Sequence, residues 1–234
     1  MQIYIFLCFN KVIFYFFISM TLIKNIIFDF GGVIYDIDFN RARNAFSEIG
    51  VGNFDELYSQ ASQNHLFEKL ETDLISPDEF RNEMRNITSK PLSDIEIDAA
   101  WNDLLVGFCK ERLELLQAIR SNYKIFLFSN TNRIHYAHFL RQFQNLTNFK
   151  SFDGLFVKSF FSFDIKRRKP DMEAYSYIVE NMKLIPEETL FIDDSIQNIK
   201  PAREIGIKGW HLTEELTNLF AENQLRQEII DQLS

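Results

Sequence analysis

Short apolar runs that stop abruptly at polar residues recur along the chain. In Lys24–Ile34 the run Ile26, Ile27 and Phe28 ends at Asp29, and Gly31 and Gly32 follow at once. Ile125–Phe128 ends in Ser129, Asn130, Thr131 and Asn132, and Leu190–Ile192 ends in Asp193, Asp194 and Ser195. A continuous apolar run of this length, bounded by glycines or turn residues, predicts a strand buried on both faces of a parallel sheet. Polar residues at the C-terminal ends of such strands lie where open α/β sheets hold their ligands. Three such strands would deliver one site at one sheet edge.

Between the first two runs the pattern changes. Tyr35–Asp38 reads as a turn-like segment, and the stretch from there to about Gly107 carries helical spacing instead of strand runs. Ala42, Ala45, Phe46 and Ile49 recur at helical intervals. Ser76-Pro77-Asp78-Glu79 reads as a helix start, and Ser93-Asp94-Ile95-Glu96 as a capping box. An insertion of roughly 70 residues is too long for a connection, which predicts a separate helical cap over the site. Strand–helix alternation then resumes. Helices are expected over 111–121, 133–143, 171–182 and 196–205, and strands over 123–128, 154–157, 189–192 and 206–212. The tail, Glu214–Leu233, reads as a pair of surface helices. Repeated β–α units predict a doubly wound parallel sheet.

Residues 1–19 form an apolar extension split by Asn10 and Lys11 into two runs of about seven, each short of the ~20 residues that span a bilayer. The segment lacks a basic start and a small-residue cleavage site, and Met20 stands just before the first core strand. A start-site artefact, a membrane or signal segment and a packed extra element all remain open readings.

The 234 residues suffice for one α/β domain with an insertion. A net charge of −8 argues against a general nucleic-acid binder, and the basic cluster Lys166–Lys169 is too short to reverse that. Two cysteines, Cys8 and Cys109, exclude a disulfide framework and fit a reducing, cytoplasmic setting. The four scattered histidines give no zinc spacing. The 25 phenylalanines fit core positions.

Asp29-Phe30-Gly31-Gly32-Val33, Ser129-Asn130, Lys169-Pro170 and Asp193-Asp194 match, in order and spacing, the four motifs of the haloacid-dehalogenase superfamily of hydrolases. The resemblance covers about residues 22–212, and the helical insertion follows the first motif, where one large subgroup carries its cap. It implies an α/β fold: a Rossmann-like core over 20–35 and 108–234, with a helical cap over 36–107. IFDFGGVIYDIDFNR, SNTNR and the RKP segment look most like phosphatases acting on glucose 1-phosphate and their relatives.

The resemblance implies a magnesium-dependent phosphatase acting on a small phosphorylated metabolite such as a sugar 1-phosphate. Asp29 is then the nucleophile, attacking phosphorus to give an aspartyl-phosphate that water hydrolyses. Asp29, the Gly31 carbonyl and Asp194 are the implied Mg²⁺ ligands, with Asp193 at the edge of the metal site and Asn198 orienting the ligands. Lys169 offsets charge as a catalytic and phosphate-binding group, while Ser129 and Asn130 hold phosphoryl oxygens. Neither nucleic acid nor a stable membrane association is expected, and the oligomeric state is not legible.

One position departs from the family pattern. Most superfamily phosphatases carry a second aspartate two residues after the nucleophile, which protonates the leaving group; here that residue is Gly31. Asp36, Asp38 and His135 are the nearby replacements, or the enzyme uses leaving groups that need little help. The gap also keeps two alternatives in play: a dehalogenase, which needs no such acid, and a weakly catalytic phosphate sensor. His135 reads more simply as a helix-surface residue, and His65, Glu68 and Glu71 as an exposed helix face that a cap could bring to substrate.

Overall fold

The computed structural model describes residues 4–9, 12–17, 22–52, 54–58 and 66–233. Strands β1 (Tyr4–Phe9) and β2 (Val12–Phe17) pair as an antiparallel ribbon. Strand β3 (Asn25–Phe28) begins the main sheet. Strand β4 (Tyr35–Ile37) follows, then helices α1 (Phe39–Ile49), α2 (Phe54–Tyr58), α3 (Leu66–Glu71), α4 (Pro77–Thr88) and α5 (Asp94–Asn102), and strand β5 (Leu105–Phe108). The remainder alternates: α6 (Lys110–Ile119), β6 (Lys124–Ser129), α7 (Arg133–Leu146), β7 (Lys158–Phe161), α8 (Ser162–Ile165) and α9 (Met172–Met182). It closes with β8 (Thr189–Asp193), α10 (Ile196–Glu204), β9 (Lys208–His211), β10 (Phe220–Ala221), β11 (Gln224–Leu225) and α11 (Gln227–Gln232).

The main sheet is five-stranded and parallel, in the order β7-β6-β3-β8-β9, so the strand that leads to Asp29 lies at its centre. Side chains alternate across it. Ile26, Phe28, Ile125, Leu127, Leu190 and Ile192 pack on one face with Leu113, Leu116, Phe139 and Phe143 of α6 and α7. Ile27, Phe126, Phe128 and Phe191 pack on the other with Ala174, Tyr175, Ile178, Ile199 and Ala202 of α9 and α10. Helices on both faces make the sheet doubly wound, as the apolar runs predict.

Helices α1–α5 bury a second apolar cluster around Phe46, Phe67, Phe80 and Trp101. The expected helix start at Ser76 and the expected capping box at Ser93 both form, and the first is a capping box too: Ser76 with Glu79 opens α4 and Ser93 with Glu96 opens α5, each contributing about 1 kcal/mol. Ile134 of α7 joins this cluster and Ile37 touches it as well as the first, so the helices sit directly on the sheet's C-terminal side.

Three local expectations differ. Tyr35–Ile37 is a strand, not a turn, because it pairs antiparallel with Leu105–Phe108, a partner far along the chain. The strand expected over 154–157 lies at Lys158–Phe161 instead; Gly154 closes a 3-10 turn, and Asp153 Oδ1 accepts the Ser159 N–H at 2.7 Å to start the strand after it. The tail is a 3-10 turn, a β10–β11 hairpin and one short helix. Glu222 and Asn223 take positive φ (49° and 63°), the geometry that closes a two-residue hairpin.

Candidate active site

Asp29 continues directly from β3, and its N–H donates to the Ile192 carbonyl at 2.9 Å, holding it against the neighbouring strand. Glycine at 32 is required by its surroundings: φ is +77°, and a Cβ there would overlap Asp194 Oδ2. The turn after Asp29 therefore packs against the carboxylate at the end of β8. Gly31 forms a main-chain bridge with Tyr35 in that turn. A Cβ at Gly31 would lie 3.2 Å from Ile37 Cδ1, so the position where the family carries its second aspartate is faced here by an isoleucine.

Lys169, only 2% exposed, reaches in from the loop before α9. Its Nζ donates to Asp29 Oδ1 at 2.5 Å and to Asp193 Oδ2 at 2.7 Å, and it lies over the Phe128 and Phe191 rings. Burial opposes the ammonium, but Asp193 and Asp29 carry its pKa above the usual lysine value. Burial pushes the Asp29 carboxyl up to about 7, and Asp193 adds to that, while Lys169 pulls the other way.

Asp193 is fully buried beneath the site, rather than at its edge, and Lys169, Ser195 and Asn198 all donate to its carboxylate. Its Oδ1 accepts from the Ser195 N–H at 2.8 Å, and Asn198 Nδ2 donates to both of its oxygens at 3.0 Å. It anchors the lysine. Asp194, next in sequence, is exposed.

Ser129 ends β6 and is 3% exposed. The Asn130 carboxamide is bonded in both directions to the main chain of Lys169: Nδ2 donates to the Lys169 carbonyl at 2.8 Å, and the Lys169 N–H donates to Oδ1 at 2.9 Å. The side chain expected to hold phosphate thus positions the lysine. Asn132 caps α7, accepting the Ile134 and His135 N–H groups.

The three possible replacements for the missing acid are engaged elsewhere. Asp36 accepts from Arg112 at 2.6 Å. Asp38 caps α1. His135 is 5% exposed, not a surface residue; its Nε2 bonds the Trp101 carbonyl at 3.1 Å, and burial lowers its pKa to about 3. Glu71 is also buried and not part of an exposed face, while His65 lies outside the described residues.

A divalent cation fits this donor set. Asp29, Asp193 and Asp194 each offer a carboxylate oxygen, all within 4.8 Å of one another, and hard oxygen donors are what Mg²⁺ takes. Burial sets the upward shift at Asp29, and Asp193 and Asp194 add to it with negative charge that a cation would offset.

Fold, sheet-edge carboxylates and buried lysine together define a hydrolase. The chain belongs to the haloacid dehalogenase-like hydrolase family, which it matches over residues 23–206. It is 32% identical, over 80% of its length and 90% of the relative's, to a D-ribitol-5-phosphate phosphatase of Bacteroides thetaiotaomicron. It is 25% identical to a sesquiterpene phosphatase of Aspergillus oryzae, over 88% of this chain and 97% of that one. A haloacid-dehalogenase-family enzyme of B. thetaiotaomicron, solved in complex with magnesium and inorganic phosphate, is 35% identical with a TM-score of 0.77, over 85% of this chain and 100% of that one.

Arg168 is a residue that sequence reasoning passed over inside the KRRKP basic run. Its guanidinium approaches Glu71 Oε2 at 3.0 Å and Glu68 Oε1 at 3.3 Å, joining α3 to the loop that carries Lys169. Only its place directly before the lysine could have pointed to it.

Proposed function

We propose that this chain is a magnesium-dependent phosphatase that hydrolyses a small sugar or sugar-alcohol monophosphate through an aspartyl-phosphate on Asp29. The observation that carries the reading is the buried Asp29–Lys169–Asp193 cluster at the end of the central strands, with Asp194 beside it. The magnesium complex and the named phosphatases among its relatives support the same chemistry.

Asp29 Oδ attacks phosphorus, the P–O bond to the substrate's alkoxide breaks, and an acyl phosphate forms. Water then attacks phosphorus and releases inorganic phosphate, returning the carboxylate. Lys169 holds Asp29 in line and balances charge as the phosphoryl group approaches. Ser129 presents a hydroxyl to a phosphoryl oxygen, and Asn130 fixes the lysine. Asp29, Asp194 and the Gly31 carbonyl would hold Mg²⁺, with Asp193 behind them; bound there, it supplies a cation for the phosphate dianion. In this reading residues 20–35 and 108–234 are the catalytic core, 36–107 the cap and 1–19 an extension, and the setting is cytoplasmic.

A second reading concerns the leaving group. Ile37 faces the Gly31 position, while Asp36, Asp38 and His135 are all committed, so this site favours leaving oxygens that need little protonation. An anomeric oxygen is such a group, which supports a sugar 1-phosphate over a primary ester. The D-ribitol-5-phosphate phosphatase relative favours the primary ester.

Phosphate release from glucose 1-phosphate, glucose 6-phosphate and D-ribitol 5-phosphate, with and without Mg²⁺ and beside Asp29→Asn, tests both readings. Metal-dependent release that falls at least about 1000-fold in Asp29→Asn supports the phosphatase. Equal rates on the two glucose esters overturn the leaving-group argument. Release of halide from a 2-haloacid without phosphatase activity overturns the main reading.

A further inference from the structure

Resting on that reading, we propose that Glu71 and Arg168 form a hydroxyl-reading pair that selects a polyhydroxylated leaving group. Glu71 comes from α3 and Arg168 from the loop that delivers Lys169, so the two meet where the helices close over the sheet edge. Glu71 is 7% exposed, and Lys169 is close enough for its charge to be felt at the Glu71 carboxyl.

The pair is close but incompletely satisfied. Glu71 Oε2 lies 3.0 Å from Arg168 without an N–H directed at it, and Arg168 Nε–H is buried with no hydrogen-bond partner. Buried polar atoms left unmet are costly, so they favour a ligand that supplies the missing partner. Two further buried donors without partners lie on Trp101 of α5 and on Asn132, the cap of α7. Trp101 Nε1 belongs to a ring tilted against that of His135 at 4.3 Å, and Asn132 Nδ2 follows the Ser129-Asn130 segment. The Tyr58 ring lies 5.9 Å from Trp101. Only two other such atoms occur among the described residues, on Ser159 and Trp210, apart from the Asn102 amide oxygen beside Trp101.

The chemistry of the set identifies its ligand. A hydroxyl both donates and accepts, so one O–H can accept from Arg168 Nε and donate to Glu71 Oε2. An alkyl or terpenoid chain would leave Glu71 Oε2 and Arg168 Nε unmet, and polar groups left unpaired in a site discriminate strongly against ligands that lack the partner. A carboxylate ligand would be repelled by Glu71.

The test uses two esters of equal chain length with the same primary oxygen, D-ribitol 5-phosphate and n-pentyl phosphate. The wild type should prefer the ribitol ester in kcat/KM by about 100-fold, since several bonds each contribute roughly a factor of ten. Glu71→Gln and Arg168→Gln should each lower that preference at least tenfold, mainly through KM for the ribitol ester. An equal loss on both esters would assign the pair a packing role and overturn the proposal, as would an unchanged preference. Calorimetry in the Asp29→Asn background, with Mg²⁺, reads binding without turnover. There Glu71→Gln should weaken ribitol 5-phosphate at least tenfold more than n-pentyl phosphate. A wild type that turns over neither of these primary esters but hydrolyses glucose 1-phosphate keeps the phosphatase reading, and one that hydrolyses none of the three overturns it. In either case the calorimetric ratio still decides the proposal for the pair.

Discussion

Lys169 Nζ meets Asp29 Oδ1 at 2.5 Å, joining residues 140 positions apart in a contact where the lysine is 2% and the aspartate 8% exposed. The same ammonium bonds Asp193, so one cation is shared by two buried carboxylates. With Asp194 close by, the cluster carries excess negative charge, which a divalent cation held by these carboxylates would offset.

Lys169→Met should therefore strip the cluster of its internal counter-charge. Breaking a buried ion pair costs about 3–5 kcal/mol because a charge is left uncompensated. Urea unfolding in EDTA at pH 8 should show a loss near 3 kcal/mol, and added Mg²⁺ should recover part of it. Turnover should fall to background. A variant as stable as wild type in EDTA would show that the carboxylates do not depend on the lysine.

Gly32→Ala should damage the site through Asp194. A Cβ at this positive-φ position would overlap the Asp194 carboxylate, so either the turn or the carboxylate must move. Mg²⁺ affinity, followed by calorimetry, should weaken at least tenfold, and stability should drop by about 1–2 kcal/mol. Gly52, where a Cβ would touch nothing, is the control: Gly52→Ala should alter neither property.

His135 should make the fold acid-sensitive. Its pKa is lowered to about 3 in the folded chain from 6.5, so between those values the unfolded chain binds the extra proton. Its contribution is intact above about pH 6.5 and is lost as pH falls toward 3. By pH 5 the loss is about 2 kcal/mol. His135→Gln, which keeps a donor for the Trp101 carbonyl, should flatten the stability difference between pH 7 and pH 5 by about that amount. An unchanged slope in denaturant titrations would remove His135 as the cause.

The sheet was legible because its central strands are fully buried, and full burial writes uninterrupted apolar runs such as Ile26–Phe28 and Leu190–Ile192. The positions of Asp29, Ser129 and Asp193 were legible for the same reason, since each ends or directly follows one of these runs. What stayed hidden depends on distant partners. Tyr35–Ile37 is three residues long and becomes a strand only against Leu105–Phe108. Glu71 looks like any helix-surface acid until Arg168 arrives from 97 positions away. His135 carries no sequence mark of the Trp101 ring that buries it. Gly31 announces the lost aspartate, but only the structure shows Ile37 facing that position. The tail misled because alternating Leu, Phe and Ile spacing over so few residues suits several short elements equally well.

The order of strands in the sheet has a bearing on how the chain is made. Synthesis delivers Asp29 early, as the end of what will be the central strand, whereas Lys169 and the β8 strand that flanks it come 140 and more residues later. Until the ribosome has released that later segment, the carboxylate has no ammonium to meet and the central strand has one open edge. A nascent chain must keep this end wet, and catalytic competence and completion of the core then arrive in a single late event.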